Sequence, residues 1–448
     1  MTKEEAPPNT CFNLAKDPYP PIQHNGIHLE EEEAMDRKWI VLGVLALSGL
    51  VLAACGAPAY DCPDAISCVD VAPGDPIHIG YAMVISGPDA TLGLDTQYGA
   101  ELAIDDRGGE LLGHPIKFDG QDSGCNAEGG TSAATKLAAD STIVAVIGTN
   151  CSSEAVPGVP IMSEAGFTIV SPSNTAPYLT APDLRSEGYF RTAHNDNVQG
   201  AAAARFVYEE LGFTQVAAIH DGGPYTEALA NVFAQNFRGM GGTITAIEAV
   251  GPDDTDMKPA LTRVAAGSPQ LIYFPVFVKA GGFICAQMRD VPGLEETVMM
   301  GADGIYTPDF VKACGTNVVG MNWSSPDFSA FGAAYADLVE QYKTKYNVEG
   351  TLAPFHAHSY DAANIIFAAI EQVAVVDDDG TVHIGRQALR DAVGATAGFA
   401  GITGSLSCDD NGDCADPQIA VYVMADEAEY EAAVGGQMPK TPIWKYSQ

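Results

Sequence analysis

A strand that runs directly into a hydroxyl-rich helix start is the feature that most constrains this chain. Residues 143–147 are five apolar residues in succession, the pattern of a strand buried on both faces. Gly148 ends the strand, and Ser152 and Ser153 then open a helix with Glu154 in its first turn. Because the first N–H groups of a helix lack intrahelical partners and carry positive potential, they can hold the carboxylate of a small ligand. An ordinary capped helix without a ligand explains the same residues.

Strand and helix patterns alternate in two successive runs. The first run predicts strands at 77–84, 115–118, 143–147 and 167–170, and the second predicts strands at 216–220, 243–250, 271–274 and 298–300. Repeated β-α-β units predict an α/β fold of two lobes that close like a clamshell, each a mainly parallel sheet flanked by helices. Ligands bind outside the carboxyl ends of such strands, where the following residues fall: Leu92, Ser152, Ser173, Thr175, Tyr225 and Asp303.

Beyond these runs the pattern predicts helices and a closing pair of strands. Helices are predicted over 328–346, 359–373 and 386–393 from apolar residues at helical spacing. Segments 399–406 and 419–424 are predicted to pair as a β-hairpin, with Asn411 and Gly412 in a turn between them.

Composition and motifs exclude several classes of function. The 448 residues carry 22 basic and 58 acidic side chains, a net charge of −36, so a nucleic acid is not an expected partner. Patterns G-x-S-x-G, G-x-G-x-x-G, the P-loop and H-E-x-x-H do not occur. His356 and His358 are expected on a strand or loop in a structural role rather than as metal ligands. Asp409–Asp413 begins like a calcium loop, but Cys414 stands where that loop needs Gly. We expect no catalytic residues, no cofactor and no metal.

Residues 35–55 resemble a bacterial lipoprotein signal. A positive segment, a 16-residue apolar run over 39–54 and small residues precede Cys55. Because a bilayer-spanning helix needs roughly 20 residues, this run fits a signal peptide better. We expect a signal peptide at 35–54, acylation of Cys55 and a location on the extracytoplasmic face of the cell membrane, held only by the lipid. An uncleaved anchor with an incidental cysteine is the alternative.

The segments on either side of this signal are polar. Residues 1–34 do not fit ahead of a signal peptide, so we expect them to be untranslated, with Met35 as the true start. Any peptide from 1–34 in the unprocessed protein would contradict this expectation. Residues 55–75 are small, Pro-rich and acidic, and we predict a tether.

Apart from Cys11 and Cys55, the chain has eight cysteines, an even number that predicts disulfides in an oxidising compartment. Spacing alone does not determine the connectivity. Pairing in sequence order would join Cys62 to Cys68, Cys125 to Cys151, Cys285 to Cys314 and Cys408 to Cys414.

Eight short motifs occur in an order that resembles a known family. They are Ile85–Pro88, Gly108–Gly109 with Leu112–Gly113, Asp122-x-x-Cys125, Gly148 with Cys151–Ser153, Ser171–Pro172 with Thr175–Pro177, His220–Asp221 with Tyr225, Gly301–Gly304 and Ser359–Ala362. Over residues 77–424 this order is similar to the leucine/isoleucine/valine-binding proteins of bacterial ABC transporters. The resemblance implies a type I periplasmic binding protein fold with three hinge crossings. It places lobe 1 at 76–194 and 323–416, and lobe 2 at 195–322 and 417–448.

The resemblance also implies roles at the polar end of a ligand. Ser152 and Tyr225 would contact the ligand carboxylate. Thr175 would bind both ends, and the Ser173 carbonyl would accept from the ammonium. Asp303 would pair with the ammonium where the family usually has Glu. Since Asp is one methylene shorter, either the ligand would sit deeper or a water would bridge this pair.

At the apolar end, Leu92 replaces the family's aromatic residue, so leucine-like specificity is not expected to transfer. Phe277 and Phe355 would line the rest of the pocket. The resemblance further implies a disulfide between Cys125 and Cys151.

Three functions fit a chain of this kind to different degrees. The first is an anchored, monomeric binding protein that delivers an amino acid or related small carboxylate to an ABC permease and its ATPase. The second is a sensor of the same fold that signals to a protein partner without transport, and neighbouring permease genes would favour the first over it. The third, an amide hydrolase, lacks a nucleophile and base pair, so we expect no enzyme.

Overall fold

The computed structural model describes residues 60–447. The segment 1–34, the predicted signal peptide at 35–54 and the predicted lipid site at Cys55 lie outside these residues. The strands are β1 (Cys68–Val71), β2 (Ile77–Met83), β3 (Glu110–Leu111), β4 (His114–Asp122), β5 (Ile143–Gly148), β6 (Thr168–Ser171), β7 (Tyr189–Arg191), β8 (Gln215–His220), β9 (Thr243–Ala249), β10 (Leu271–Tyr273), β11 (Val298–Gly301), β12 (Asn322–Pro326), β13 (Val375–Val376), β14 (Val382–Gly385), β15 (Phe399–Gly401), β16 (Gly404–Leu406), β17 (Ile419–Val423) and β18 (Trp444–Lys445).

The α-helices of the same part of the chain are α1 (Ala90–Asp106), α2 (Ala127–Ala138), α3 (Ser152–Glu164), α4 (Asp196–Arg205), α5 (Pro224–Gly239), α6 (Lys258–Ala265), α7 (Val278–Met288), α8 (Pro308–Cys314), α9 (Tyr335–Tyr346), α10 (His356–Val373), α11 (Arg386–Gly394) and α12 (Glu427–Val434). Shorter helical turns lie at Pro177–Thr180, Phe206–Glu210, Asp303–Ile305 and Gly315–Val318.

The first lobe is built on a six-stranded sheet with the spatial order β3-β4-β2-β5-β6-β7. All neighbouring pairs are parallel except β3 and β4. Strand β5 lies inside this sheet and is buried along its whole length, as its apolar run predicts. One core packs the sheet against α1 and α10, and a second core packs its other face against α2 and α3.

The second lobe is built on a seven-stranded sheet with the spatial order β18-β17-β12-β11-β10-β8-β9. Its strands from β9 to β12 are parallel, while β17 and β18 add antiparallel strands at one edge. Helices α6, α7 and α8 cover one face, and α4 and α5 cover the other. The predicted α/β fold of two lobes, each a mainly parallel sheet flanked by helices, is confirmed.

The predicted hairpin of 399–406 with 419–424 is wrong. β15 pairs with β16 across a tight turn, while β17 pairs with β12 in the second sheet. The residues of a strand do not indicate which other strand it will pair with. β17 is mostly apolar and can therefore be buried in the larger sheet. β12 also lies in the second sheet, although the predicted lobe boundary at 322/323 splits this strand. The remaining lobe boundaries stay predictions.

Two predicted helix starts also change. The helix predicted from 328 begins at Tyr335, because Asp327 accepts the backbone N–H of Ser329 and holds a turn there. The helix predicted from 359 begins at His356, which places His356 and His358 in a first helical turn and not on a strand or loop. Asp95 accepts the N–H groups of Phe355 and His356 at 2.9 and 2.7 Å, so a distant side chain caps this helix.

The predicted tether at 55–75 is packed against the first lobe in the part that the structure describes. β1 pairs with β14 in a small antiparallel sheet. The Asp64 carboxylate accepts the N–H groups of Gln387 and Ala388 at the start of α11, at 3.0 and 2.9 Å. The chain therefore joins the folded body before residue 75.

Cysteines pair in sequence order. The structure joins Cys62 to Cys68, Cys125 to Cys151, Cys285 to Cys314 and Cys408 to Cys414. None of the helices between residues 60 and 447 combines the length and the apolar character that crossing a membrane requires.

Candidate ligand-binding site

One cavity between the lobes is lined by all eight residues predicted to bind a ligand. The first lobe contributes Leu92, Ser152, Ser173, Thr175 and Phe355, and the second contributes Tyr225, Phe277 and Asp303. Asn150 and Gly304 complete the lining. The space between these atoms is about 250 Å³, with room for about one water molecule. A ligand therefore enters only if the lobes or the lining side chains move apart.

The start of α3, which carries Ser152, is fixed by a buried carboxylate. Glu154 accepts the backbone N–H groups of Cys125, Asn150 and Cys151 at 2.6, 3.0 and 3.0 Å. Burial raises the pKa of Glu154 to about 7, although these three bonds favour the ionised form. The Ser152 hydroxyl oxygen accepts from the Ala176 N–H at 3.3 Å, which leaves its hydrogen available to an acceptor in the cavity.

Asn150 is a lining residue to which the sequence assigned no role. Its side-chain oxygen accepts from the Val84 N–H at 3.0 Å, and its amide donates to Thr96 at 2.8 Å and to Ser173 at 3.1 Å. These bonds tie the end of β2, helix α1 and the loop after β6 to one another. A polar residue directly after a buried strand is the signal that could have found it.

Asp303 is a buried carboxylate held by neutral donors. It is 2% exposed, and its Oδ1 accepts from the Tyr225 hydroxyl at 2.7 Å and from the Gln199 amide at 3.1 Å. His194 Nε2 lies 3.9 Å from its Oδ2, but burial lowers the pKa of His194, so the ring is neutral at pH 7. The sequence did not identify Gln199, because its contact joins residues about a hundred positions apart.

No cation of the described chain neutralises Asp303 within the cavity. The lining residues of the cavity, all between positions 60 and 447, include no Lys or Arg. The Tyr225 hydroxyl donates to Asp303, so contact of this hydroxyl with a ligand carboxylate would require it to turn. The site therefore has one unneutralised negative charge, faced by neutral groups.

The apolar wall of the cavity contains residues of both lobes. Phe277, from the second lobe, packs against a cluster of the first lobe that contains Leu92 and Phe355. Its ring centroid lies 5.3 Å from that of Tyr225. One side chain therefore contacts both lobes, and separation of the lobes would break this apolar contact.

A hydrogen bond at the rim of the cleft also joins the two lobes. Asp89, which precedes α1, accepts the N–H of Val278, the first residue of α7, at 3.1 Å. Burial raises the pKa of Asp89 to about 6. We call this contact the rim latch.

Asp89→Ala is expected to raise the dissociation constant of a bound ligand about three- to tenfold, since the closed state loses one hydrogen bond. The increase should appear mainly in the dissociation rate, measured by stopped-flow fluorescence. Asp89→Asn is the matched control, because its amide oxygen can still accept from Val278. If Asp89→Ala and Asp89→Asn lost the same amount of ligand affinity, the rim latch would not act through this hydrogen bond.

The chain is similar to bacterial solute-binding proteins over most of its length. The model of the periplasmic binding protein family matches residues 76–425. Leu/Ile/Val-binding protein homolog 3 of Brucella melitensis is 28% identical over 352 residues, which cover 78% of this chain and 92% of the relative.

Solved structures of solute-binding proteins are also similar to this chain. LivJ of Streptococcus pneumoniae, a branched-chain amino acid transporter substrate-binding protein in complex with isoleucine, is 25% identical with a TM-score of 0.68, over 78% of this chain and 96% of that one. A solute-binding protein of an R. palustris ABC transporter in complex with benzoate is 19% identical with a TM-score of 0.66, over 83% and 98%. The predicted resemblance is confirmed, and the chain belongs to the periplasmic binding protein family.

Proposed function

We propose that this protein is an extracytoplasmic solute-binding lipoprotein that captures an amino acid between its lobes and delivers it to an ABC permease for uptake. The single observation that carries this proposal is the buried Asp303 carboxylate, which has only neutral donors around it. A buried charge is costly unless it is paired, and the ammonium group of an amino acid supplies the missing charge.

The same charge argues against a ligand that is only a carboxylate. The R. palustris neighbour was solved with benzoate and the S. pneumoniae neighbour with isoleucine, so the fold accommodates both classes. Benzoate would bring a second negative charge close to Asp303 and no positive one. We therefore assign the site to zwitterionic amino acids.

The other end of the ligand would be bound without a cation. The Ser152 hydroxyl, which lines the cavity, and the first N–H groups of α3 would donate to the ligand carboxylate, and the helix dipole would add positive potential. Closure of the lobes would remove water from both ends and strengthen these interactions. The ligand side chain would meet Leu92, Phe277 and Phe355.

A thermal-shift screen of the twenty amino acids, benzoate and 4-hydroxybenzoate tests this proposal. A ligand present at about a hundred times its dissociation constant adds about 2.7 kcal/mol to the free energy of unfolding. We expect at least one amino acid to raise the melting temperature and the two aromatic acids to leave it unchanged. A shift with benzoate alone, or with none of the compounds, would overturn the proposal.

Ser152→Ala is expected to weaken amino acid binding at least tenfold, about 1.4 kcal/mol, because the ligand carboxylate loses a donor. Isothermal titration calorimetry with the best amino acid of the screen measures the effect. Ser163→Ala is the control: Ser163 lies at the far end of the same helix and donates to the Glu187 carbonyl, away from the cavity. If Ser152→Ala bound the amino acid as tightly as Ser163→Ala does, Ser152 would not be a ligand-binding residue.

A further inference from the structure

Asp196 is a buried carboxylate that the proposed ligand contacts leave unused. It is the first residue of α4 and has no exposed surface. In the described part of the chain no donor meets the geometry of a hydrogen bond to either of its carboxylate oxygens, although the Thr175 hydroxyl lies close enough to favour the ionised form. The side-chain cap of this helix is Asn195, which accepts the N–H of Asn197, so capping does not explain Asp196. Burying a carboxylate with only one weakly placed hydroxyl beside it is costly, which makes its position informative.

The position of Asp196 connects it to the ammonium end of the cavity. Its backbone N–H donates to the carbonyl of Thr175 at 2.9 Å, and Thr175 lines the cavity. Gln199, three residues further along α4, donates to Asp303. Because residues three apart lie on the same face of a helix, Asp196 points to the side of α4 from which Gln199 reaches Asp303.

The charged groups around Asp196 do not neutralise it. Asp303 repels it, and Arg191 attracts it but is already bonded to Asp413 and to the carbonyls of Asn174 and Ala176. His194, close by in the chain, is neutral at pH 7 because burial lowers its pKa.

Burial and the charge of Asp303 favour the protonated form of Asp196, whereas the Thr175 hydroxyl and Arg191 favour the ionised form. Tyr178, Tyr225 and Tyr273 interact with Asp196 and stay protonated, since burial raises the pKa of each hydroxyl. Burial first, and then the charge of Asp303, raise the pKa of Asp196 well above its ordinary value.

We propose that Asp196 is a second acidic residue of the ammonium subsite and, with Asp303, selects ligands that carry a positive charge at that end. This inference rests on the proposed function as an amino acid-binding protein. In the empty site the Asp196 carboxyl group keeps its proton. When the ligand ammonium enters beside Thr175, the O–H bond of that carboxyl group breaks, the proton passes to the buffer, and the carboxylate pairs with the ammonium.

Amino acid binding is therefore coupled to the release of a proton. Because the complex holds fewer protons than the empty protein and free ligand, the dissociation constant falls as the pH rises from 6 to 8. When one proton is released, the dissociation constant falls by at most roughly tenfold for each pH unit.

Isothermal titration calorimetry at pH 7 tests this with the amino acid that gives the largest shift in the screen. Titrations in phosphate and in Tris, which differ in ionisation enthalpy, give the number of protons released. We expect the wild-type protein to release close to one proton and Asp196→Asn to release none, with binding weakened about tenfold or more. The discrimination between this amino acid and its 2-hydroxy analogue, which lacks the ammonium, should also decrease in Asp196→Asn.

Asp361→Asn is the control, because Asp361 is also buried but bonds to Ile402 and Thr403 within the first lobe. It should leave the proton count unchanged. The wild-type titration needs no variant, so a misfolded Asp196→Asn protein does not block the test. If no amino acid binds, the proposed function fails. If one binds without proton release, or Asp196→Asn releases the same number of protons, only the role of Asp196 is overturned.

Discussion

Replacement of Asp303 by Asn is expected to weaken amino acid binding by about 30-fold to several-thousand-fold, corresponding to about 2–5 kcal/mol for the loss of one partner of a buried charge pair. Asn has the same shape and can still accept from Tyr225 and Gln199, so the fold is kept while the negative charge is removed. Calorimetric titration with the best amino acid of the screen measures the change.

Asp303→Glu is the matched control for this variant. It retains the charge and restores the residue that the Leu/Ile/Val-binding proteins usually carry, so binding should survive within about tenfold. If Asp303→Asn bound amino acids as tightly as the wild-type protein, the buried charge would not be the partner of an ammonium. The same Asn variant should bind benzoate no more weakly than the wild-type protein does.

Removal of the Cys125–Cys151 disulfide has the second large expected effect. Its cysteines are 26 positions apart, and in the chain-entropy model the loss of such a link lowers the free energy of unfolding by about 3–4 kcal/mol. The double variant Cys125→Ser/Cys151→Ser should also bind amino acids more weakly, because the link joins the loop after β4 to the residue that precedes Ser152. Reversible denaturation in urea and calorimetric titration measure the two effects.

Cys62→Ser/Cys68→Ser provides the comparison. The two cysteines of this pair are 6 positions apart. By the same relation, removal of the disulfide should lower the free energy of unfolding by about 2 kcal/mol, with no change in the affinity for amino acids. An unchanged affinity in both double variants would show that Glu154 alone positions the start of α3.

The strand and helix at the proposed carboxylate end of the site could be predicted because their signals are local. The apolar run of β5, the break at Gly148 and the hydroxyl residues at Ser152 place the strand and the helix start within a few positions. The family resemblance then grouped these residues with Tyr225 and Asp303, and the structure brings them to one cavity. That a ligand binds there stays a prediction.

The remaining features depend on contacts between distant positions. Asp95 caps α10 from about 260 residues away, and Gln199 reaches Asp303 from another helix. Strand β17 looked like the partner of a nearby strand but pairs with β12. Local periodicity indicates whether a segment is a helix or a strand and which of its faces is buried. It does not indicate which distant side chain or strand contacts that segment.

The pairing of β1 with β14 bears on which lobe an upstream anchor would hold. The chain enters the folded body through β1 and through the contact of Asp64 with α11, both on the first lobe. If the proposed lipid anchor precedes these residues, it would hold the first lobe, and the second lobe would move relative to it when a ligand is captured or released. A transport partner that responds to ligand would then detect the displacement of the second lobe relative to an anchored first lobe.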